Sequence, residues 1–188
     1  MSAAALEGQL PDVTLDVAPG VRLGPLRLAD APAVHEAVAD PVLRRWLPLP
    51  RPYPLELAEQ WCTSISEGIR ESGRGLVRGV FADGAFVANI DAKRIDWPAR
   101  VCEIGYWTAA PARGRGYMTA AVGGFTHWLL REQGFERVEL RIAPGNDASR
   151  RVAEKARYVY EGTARNAGFV DAGRVDLQIF SRVAGDPD

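Results

Sequence analysis

Cys102-Glu103-Ile104-Gly105-Tyr106-Trp107-Thr108-Ala109, followed after a short turn by Arg113-Gly114-Arg115-Gly116-Tyr117-Met118, is the stretch whose reading decides the fold. Its first half is rich in residues that suit a pleated strand. Beyond Gly116, the residues Met118, Ala121, Val122, Phe125 and Leu129 recur at helical spacing. A strand, a basic glycine loop and a helix therefore follow one another. The loop's amides lie at the helix N-terminus, where the backbone dipole favours an anion, and phosphate is the natural guest. Gly114 and Gly116 let the backbone approach closely, while Arg113 and Arg115 offer planar, charge-assisted donors. The bland alternative is a solvated basic turn. A nucleoside-triphosphatase loop would end in Gly-Lys-Ser/Thr, whereas Gly116-Tyr117-Met118 stands here. A dinucleotide fingerprint would need a third glycine where Thr119 stands.

Working outward, Leu76 to Ala82 and Phe86 to Ile95 are apolar runs joined by Asp83-Gly84, a pair suited to a tight hairpin. Glu136 to Ile142 is a further strand, Asp147 to Arg157 a helix, and Tyr158 to Glu161 with Val175 to Val183 close the sheet. The central strand–helix–strand–helix–strand order implies a parallel pair inside an otherwise antiparallel sheet. Upstream, Val21 to Leu28 reads as an edge strand bulged at Gly24-Pro25. Asp30 starts a helix with Pro32 in its first turn. The stripe Leu55, Ala58, Cys62, Ile65, Ile69 predicts a long amphipathic helix. Arg44 to Tyr53, with three prolines in ten residues, reads as an ordered loop, either a lid over the core or a wall of a pocket. The predicted organisation is a tail over 1–18, one domain over 19–183 and a second tail over 184–188.

The 188 residues suit a single domain, and 23 basic against 24 acidic side chains set up no global field for nucleic acid or an anionic membrane. No window is apolar enough to span a bilayer and the N-terminus lacks a leader pattern, so a cytoplasmic protein is expected. Cys62 and Cys102 have no metal or disulfide spacing and read as reduced core residues, while His35 and His127 lack the spacing of a helical metal site. No metal is expected. Trp97, taken as exposed, and the apolar final strand leave a homodimer open.

Taken together, Cys102 to Trp107, Ala112 to Tyr117, Pro144-Gly145-Asn146-Asp147-Ala148-Ser149-Arg150-Arg151-Val152-Ala153-Glu154-Lys155 and Glu161-Gly162 resemble the GNAT family of N-acetyltransferases, in particular its RimJ/RimL-type branch. The similarity runs from about Leu26 to Phe180. It implies an α/β (α+β) fold with a mixed, mostly antiparallel central sheet, a splayed parallel strand pair and flanking helices. Acetyl-CoA, or another acyl-CoA, is then the co-substrate. Its pyrophosphate would rest on Arg113, Gly114, Arg115, Gly116, Tyr117 and Met118, and its pantetheine arm on the backbone of Trp107, Thr108 and Ala109, with side-chain contacts from Asn146 and Ser149. Asn146 also suits the N-cap of the helix that follows. Three positions depart from the family pattern: Met118 where a small residue is usual, Ala153 where many members carry a catalytic tyrosine, and Arg157 where glycine is common.

Acyl transfer to an amine needs a neutral nucleophile and a proton for the departing thiolate. The resemblance assigns Glu103 as general base, against a cross-strand ion pair, and Ser149 as general acid, against a hydroxyl bonded to its own helix, with Tyr158 and Tyr160 in reserve. The acceptor is expected to be a primary amine, either a protein N-terminus or a small molecule. It should be lined by Arg44 to Tyr53, the long helix after it and Arg165-Asn166, and an acidic groove there would favour a polycation. The competing readings are a non-catalytic acyl-CoA-binding module and a succinyl-type acyltransferase.

Overall fold

The structure, a computed structural model, describes residues 8–187. The strands are β1 (Leu15–Ala18), β2 (Val21–Gly24), β3 (Leu76–Ala82), β4 (Ala85–Asp96), β5 (Val101–Thr108), β6 (Arg137–Ile142), β7 (Val159–Val170) and β8 (Gly173–Val183). The α-helices are α1 (Ala31–Val38), α2 (Pro41–Trp46), α3 (Leu55–Gln60), α4 (Ser66–Glu71), α5 (Tyr117–Arg131) and α6 (Asp147–Lys155). A π-helical turn, Trp61–Ile65, joins α3 to α4, so the stripe from Leu55 to Ile69 lies on one continuous rod.

Eight strands form a sheet in the order β1-β2-β3-β4-β5-β6-β8-β7. Every neighbouring pair is antiparallel except β5 and β6. That parallel pair is short: Val101↔Arg137, Cys102↔Val138 and Glu103↔Glu139 are in register, and there the pairing stops. Past Glu103, β5 stays with β4 as far as Ala88↔Thr108, while β6 stays with β8 as far as Ile142↔Gln178. The two strands splay, opening a wedge in the middle of the sheet.

Helices cover both faces. Leu76 and Val80 of β3 join the core built on Phe125, Trp128 and Leu129 of α5, whereas Val77 joins the core of Val34, Val38, Ala58 and Cys62. Alternation along the strand puts these two cores on opposite sides of the sheet. On β5, Ile104 and Tyr106 belong with the α5 side, and Trp107 with the α1–α3 side. No described helix is long and apolar enough to cross a membrane.

The structure corrects five local readings. Residues 8–18 are not a tail: Leu10 is 1% exposed and β1 pairs with β2 from Leu15↔Leu23, while residues 1–7 lie outside the described residues. Buried Arg78 anchors this segment, bonding the Val13 carbonyl at 2.8 Å and pairing with Asp12. Consequently β2 is an interior strand, and it stops at Gly24 rather than running to Leu28. Part of the proline-rich segment is α2, because Asp40 caps it by accepting from Val42 N at 3.0 Å and Pro41 sits in the first turn, where a missing N–H is harmless. At the other end, β7 runs on to Val170 through two register shifts, and Ala184 is tied back by its amide to the Glu136 carbonyl at 3.0 Å. Trp97 is half-buried rather than exposed, donating to the Gly73 carbonyl at 2.9 Å and tilting against Phe135.

Candidate active site

The wedge between β5 and β6 opens into a cleft of about 710 Å³. Ile104 to Thr108 form one wall and Leu140 to Ala143 the other, with the glycine loop, the first turns of α6 and Trp46 to Pro48 at its margins. Backbone groups on the inner edges of the splayed strands have no ladder partner, which is the situation an extended ligand with its own amides would satisfy. A second cavity, of about 530 Å³, lies by the β1–β2 and β3–β4 turns, and no predicted site residue lines it.

The loop end is built from backbone. Gly114 and Gly116 have φ of 76° and 82°, and no atom lies within 4 Å of where a Cβ would stand on either. Gly116 is the N-cap of α5, so a left-handed residue turns the chain into the helix and leaves open space before its first amides. Of the two arginines, Arg113 is already engaged: its guanidinium pairs with Asp40 and bonds the Thr108 carbonyl at 3.2 Å. Burial pushes the Asp40 carboxyl up, but the Val42 amide and Arg113 outweigh it and hold the group below its usual range. The pair ties the loop to the start of α2. Arg115 is exposed and lies off the cleft lining, as does Ala109, whose amide bonds the Val87 carbonyl at 3.0 Å. Trp107, Thr108, Arg113, Gly114, Gly116, Tyr117 and Met118 all line the cleft. Met118 is 6% exposed and belongs to the α5-side core, so its bulk fills the interior.

At the first turn of α6, Asn146 caps the helix by accepting from Ser149 N at 3.2 Å. Ser149 does not spend its hydroxyl on its own helix. Its Oγ lies 2.8 Å from the Tyr106 hydroxyl, which also donates to the Ser149 carbonyl at 3.2 Å. Burial pushes the Tyr106 phenol up to about 12, against the opposing effect of the Ser149 hydrogen bond, so it stays protonated across the ordinary working range. Tyr106 is the site residue that sequence reading missed. Its signal was parity: with Ile104 it faces the α5–α6 side, where Ser149 sits.

Glu103 has the opposite parity. It is 8% exposed, lines the cleft and faces three cations: Lys93 Nζ at 3.5 Å, Arg94 Nε at 3.3 Å and Arg141 Nε at 3.5 Å. Lys93 is its register partner on β4, so the cross-strand ion pair is present. Its Oε2 nevertheless accepts no hydrogen bond, although it is buried.

The reserve tyrosines are placed elsewhere. Tyr158 is buried and its hydroxyl lies 2.6 Å from Thr126 Oγ1, while Tyr160 is exposed on β7 beside Thr163. Neither lines the cleft. Arg157 adopts φ of 62°, and the bonds Tyr158 N to Ala153 O at 2.9 Å and Arg157 N to Glu154 O at 3.1 Å complete a Schellman ending. An arginine there costs about 1 kcal/mol against glycine, and the geometry is kept. Cys62 and Cys102 are buried and free, and burial raises both thiols. Of the expected acceptor-lining segments, Trp46 to Pro48 do line the cleft; the rod from Leu55 to Glu71 and Arg165-Asn166 do not, and Gly168 to Val170 of β7 take their place.

The chain is 34% identical over 107 residues to YdaF of Bacillus subtilis (strain 168), a candidate ribosomal N-acetyltransferase by its name, in a match covering 57% of this chain and 58% of that protein. It is 23% identical over 115 residues to the ribosomal-protein-serine acetyltransferase of Escherichia coli (strain K12), covering 61% of this chain and 64% of the relative. The chain thus spans less than two thirds of the length of either curated relative. Among solved structures, Mycobacterium smegmatis RimJ in complex with CoA-disulfide superposes with a TM-score of 0.80 at 26% identity, over 87% of this chain and 82% of that one. The acetyltransferase (GNAT) domain model matches residues 21–159, most of the sheet, the loop and both site helices. This chain belongs to the GNAT acetyltransferase family.

Proposed function

We propose that this protein transfers an acetyl group from acetyl-CoA to a primary amine by direct attack while both substrates are bound. The observation that carries the reading is the wedge between β5 and β6, which runs from the open amides of Gly114 to Tyr117 past the Tyr106–Ser149 pair to Glu103. From Thr108 back to Glu103 is five strand residues, roughly 17 Å, the span of an extended arm rather than of a compact ligand. The structural likeness to RimJ, solved in complex with CoA-disulfide, supports an acyl-CoA occupant.

Bound there, acyl-CoA supplies an activated thioester carbonyl. The chain's groups then do three things. Amides of the loop and the α5 N-terminus hold phosphate, and Asn146 orients the start of α6. Glu103 takes the proton that the amine loses as the C–N bond forms, directly or through water. Ser149, with Tyr106 behind it, gives a proton to the sulfur as the C–S bond breaks. The Ala153 departure costs nothing in this scheme, because Tyr106 brings a phenol to the same hydroxyl from β5. An α-amine, with a pKa near ~8, is partly neutral at pH 7, whereas a lysine amine near ~10.4 is not. Peptide N-termini are therefore the favoured acceptors, in keeping with the ribosomal-protein names of the relatives.

The test is CoA release with acetyl-, propionyl- and succinyl-CoA against peptide N-termini and small amines, run on the wild type and on Ser149→Ala. Acetyl-CoA turnover that collapses in the variant supports the reading. Binding of acetyl-CoA with no turnover on any acceptor would favour a binding module instead.

A further inference from the structure

The charges at the Glu103 end of the cleft are layered. Lys93, Arg94 and Arg141 line it, and among the described residues Glu103 is the only acidic side chain that does. Exposure follows the same order: 62% for the Arg94 side chain, 44% for Lys93 and 30% for Arg141, against 10% for Glu103. Arg141 is also bonded to Glu139, and Lys93 lies 3.9 Å from Asp91, but Glu139 and Asp91 do not line the cleft. Neither balancing anion reaches the cleft lining. A ligand therefore meets three positive groups and one shielded carboxylate.

The backbone is bent to present this layer. Between Lys93↔Glu103 and Asp96↔Val101 the β4–β5 register shifts, so Arg94 and Ile95 oppose Cys102 alone. Arg94 takes φ of 49°, a left-handed conformation that an L side chain adopts only against a cost of about 1–2 kcal/mol. Such bulges re-aim a side chain, and this one turns Arg94 towards the cleft, with Nε on Glu103 and the rest of the guanidinium largely exposed. Lys93 lies across Gly105: a Cβ there would stand 2.4 Å from Nζ, so the missing side chain makes room for the ammonium.

We propose that the acyl acceptor is an amine bearing a carboxylate or other anionic group close to the reacting nitrogen, and that Arg94, aided by Lys93 and Arg141, reads that group. This rests on the acyl-transfer reading of the same site. Glu103 attracts the nitrogen, and Arg94, 3.3 Å away, attracts the anion, so the two opposite charges match an acceptor whose own charges are adjacent. A polycationic acceptor meets three like charges for one carboxylate. The chemistry is met by a peptide N-terminus followed at once by Asp or Glu, and equally by a free amino acid.

The experiment compares three peptides identical except for Asp, Asn or Lys at the second position, and one amino acid with its amide, in kcat/KM and in calorimetric affinity with CoA present. The wild type is expected to favour Asp over Asn and Asn over Lys by about tenfold each, the size of one charge-assisted hydrogen bond. An advantage of the free amino acid over its amide without the peptide trend identifies the small-molecule source and supports the proposal. Arg94→Asn, a residue at home in left-handed backbone, flattens the series, and Arg94→Glu turns it towards Lys. Equal values across the series, or a preference that survives Arg94→Asn, overturn the proposal. So does a wild-type preference for succinyl- over acetyl-CoA that Arg94→Asn abolishes, because the cations then serve the acyl group. Transfer without charge preference refutes this inference alone, whereas an acidic preference in binding without any transfer upholds it and refutes the acyl-transfer reading.

Discussion

The two faces of the sheet at the splay are built on different principles. On the α5–α6 side, open backbone amides, two glycines and a neutral Tyr106–Ser149 pair supply polar groups without net charge. On the other side, Glu103, Lys93, Arg94 and Arg141 form a dense charged layer. Backbone recognition tolerates side-chain drift: Met118, Ala153 and Arg157 all depart from the family pattern, yet Met118 and Ala153 fill the core and Arg157 keeps the helix ending. The charged face has no such tolerance, since each side chain there is its own donor or acceptor.

The largest effect should come from the neutral face. Ser149→Ala is expected to lower kcat about a hundredfold, the usual worth of a positioned proton donor, with acetyl-CoA affinity little changed. Tyr106→Phe should fall in the same range, and the double variant should lose far less than the product of the two, because the hydroxyls act as one unit. Stopped-flow turnover with calorimetric Kd separates these outcomes; a Ser149→Ala enzyme with full kcat would break the assignment. Next, Gly116→Val should weaken acetyl-CoA binding about tenfold by forcing a branched side chain to φ of 82°, while Arg115→Ala changes it much less. The reverse order would mean that the loop recognises phosphate through its side chains. Glu103→Gln should lower kcat/KM about tenfold and alter the pH dependence of turnover. An unchanged profile would leave Glu103 as an ion-pair residue only.

The smallest effect concerns the β6–β8–β7 side of the charged face. The Arg137 guanidinium, then Ser181 Oγ, hold the Glu161 carboxyl down to about 2, from an ordinary 4.5. Its folded pKa is depressed, so its stabilisation is complete above pH 4.5 and is lost as pH falls towards 2. Because the side chain is 39% exposed, Glu161→Gln should destabilise by no more than about 1 kcal/mol at pH 7. The gap in melting temperature between wild type and variant should narrow between pH 4.5 and pH 2. A gap that widens on acidification would contradict the sign.

What was legible in the sequence was local. β5, the glycine loop, α5 and the Asp83-Gly84 hairpin are specified by neighbours a few residues apart, and the splay followed from family likeness. β1 was not legible, because what orders residues 8–18 is Arg78 and β2 rather than any periodicity of their own. α2 was not legible because Pro48, Pro50 and Pro52 dominate the segment, yet they lie beyond the helix, which Pro41 starts. Tyr106 was missed because its partner is 43 residues away. The opposite facing of Glu103 and Tyr106 was present in strand parity alone, yet it has meaning only once Ser149 is known to lie on the α5–α6 side.

The most direct test of the central claim, that the β5–β6 wedge holds acyl-CoA, is amide hydrogen exchange with and without acetyl-CoA. Slowed exchange is predicted for Ile104 to Thr108 on β5 and for Gly114 to Tyr117 in the loop, with the turns around Gly20 and Gly84 unchanged. Acetyl-CoA that binds while those amides exchange as before, or that protects the Gly20 and Gly84 turns instead, would contradict it.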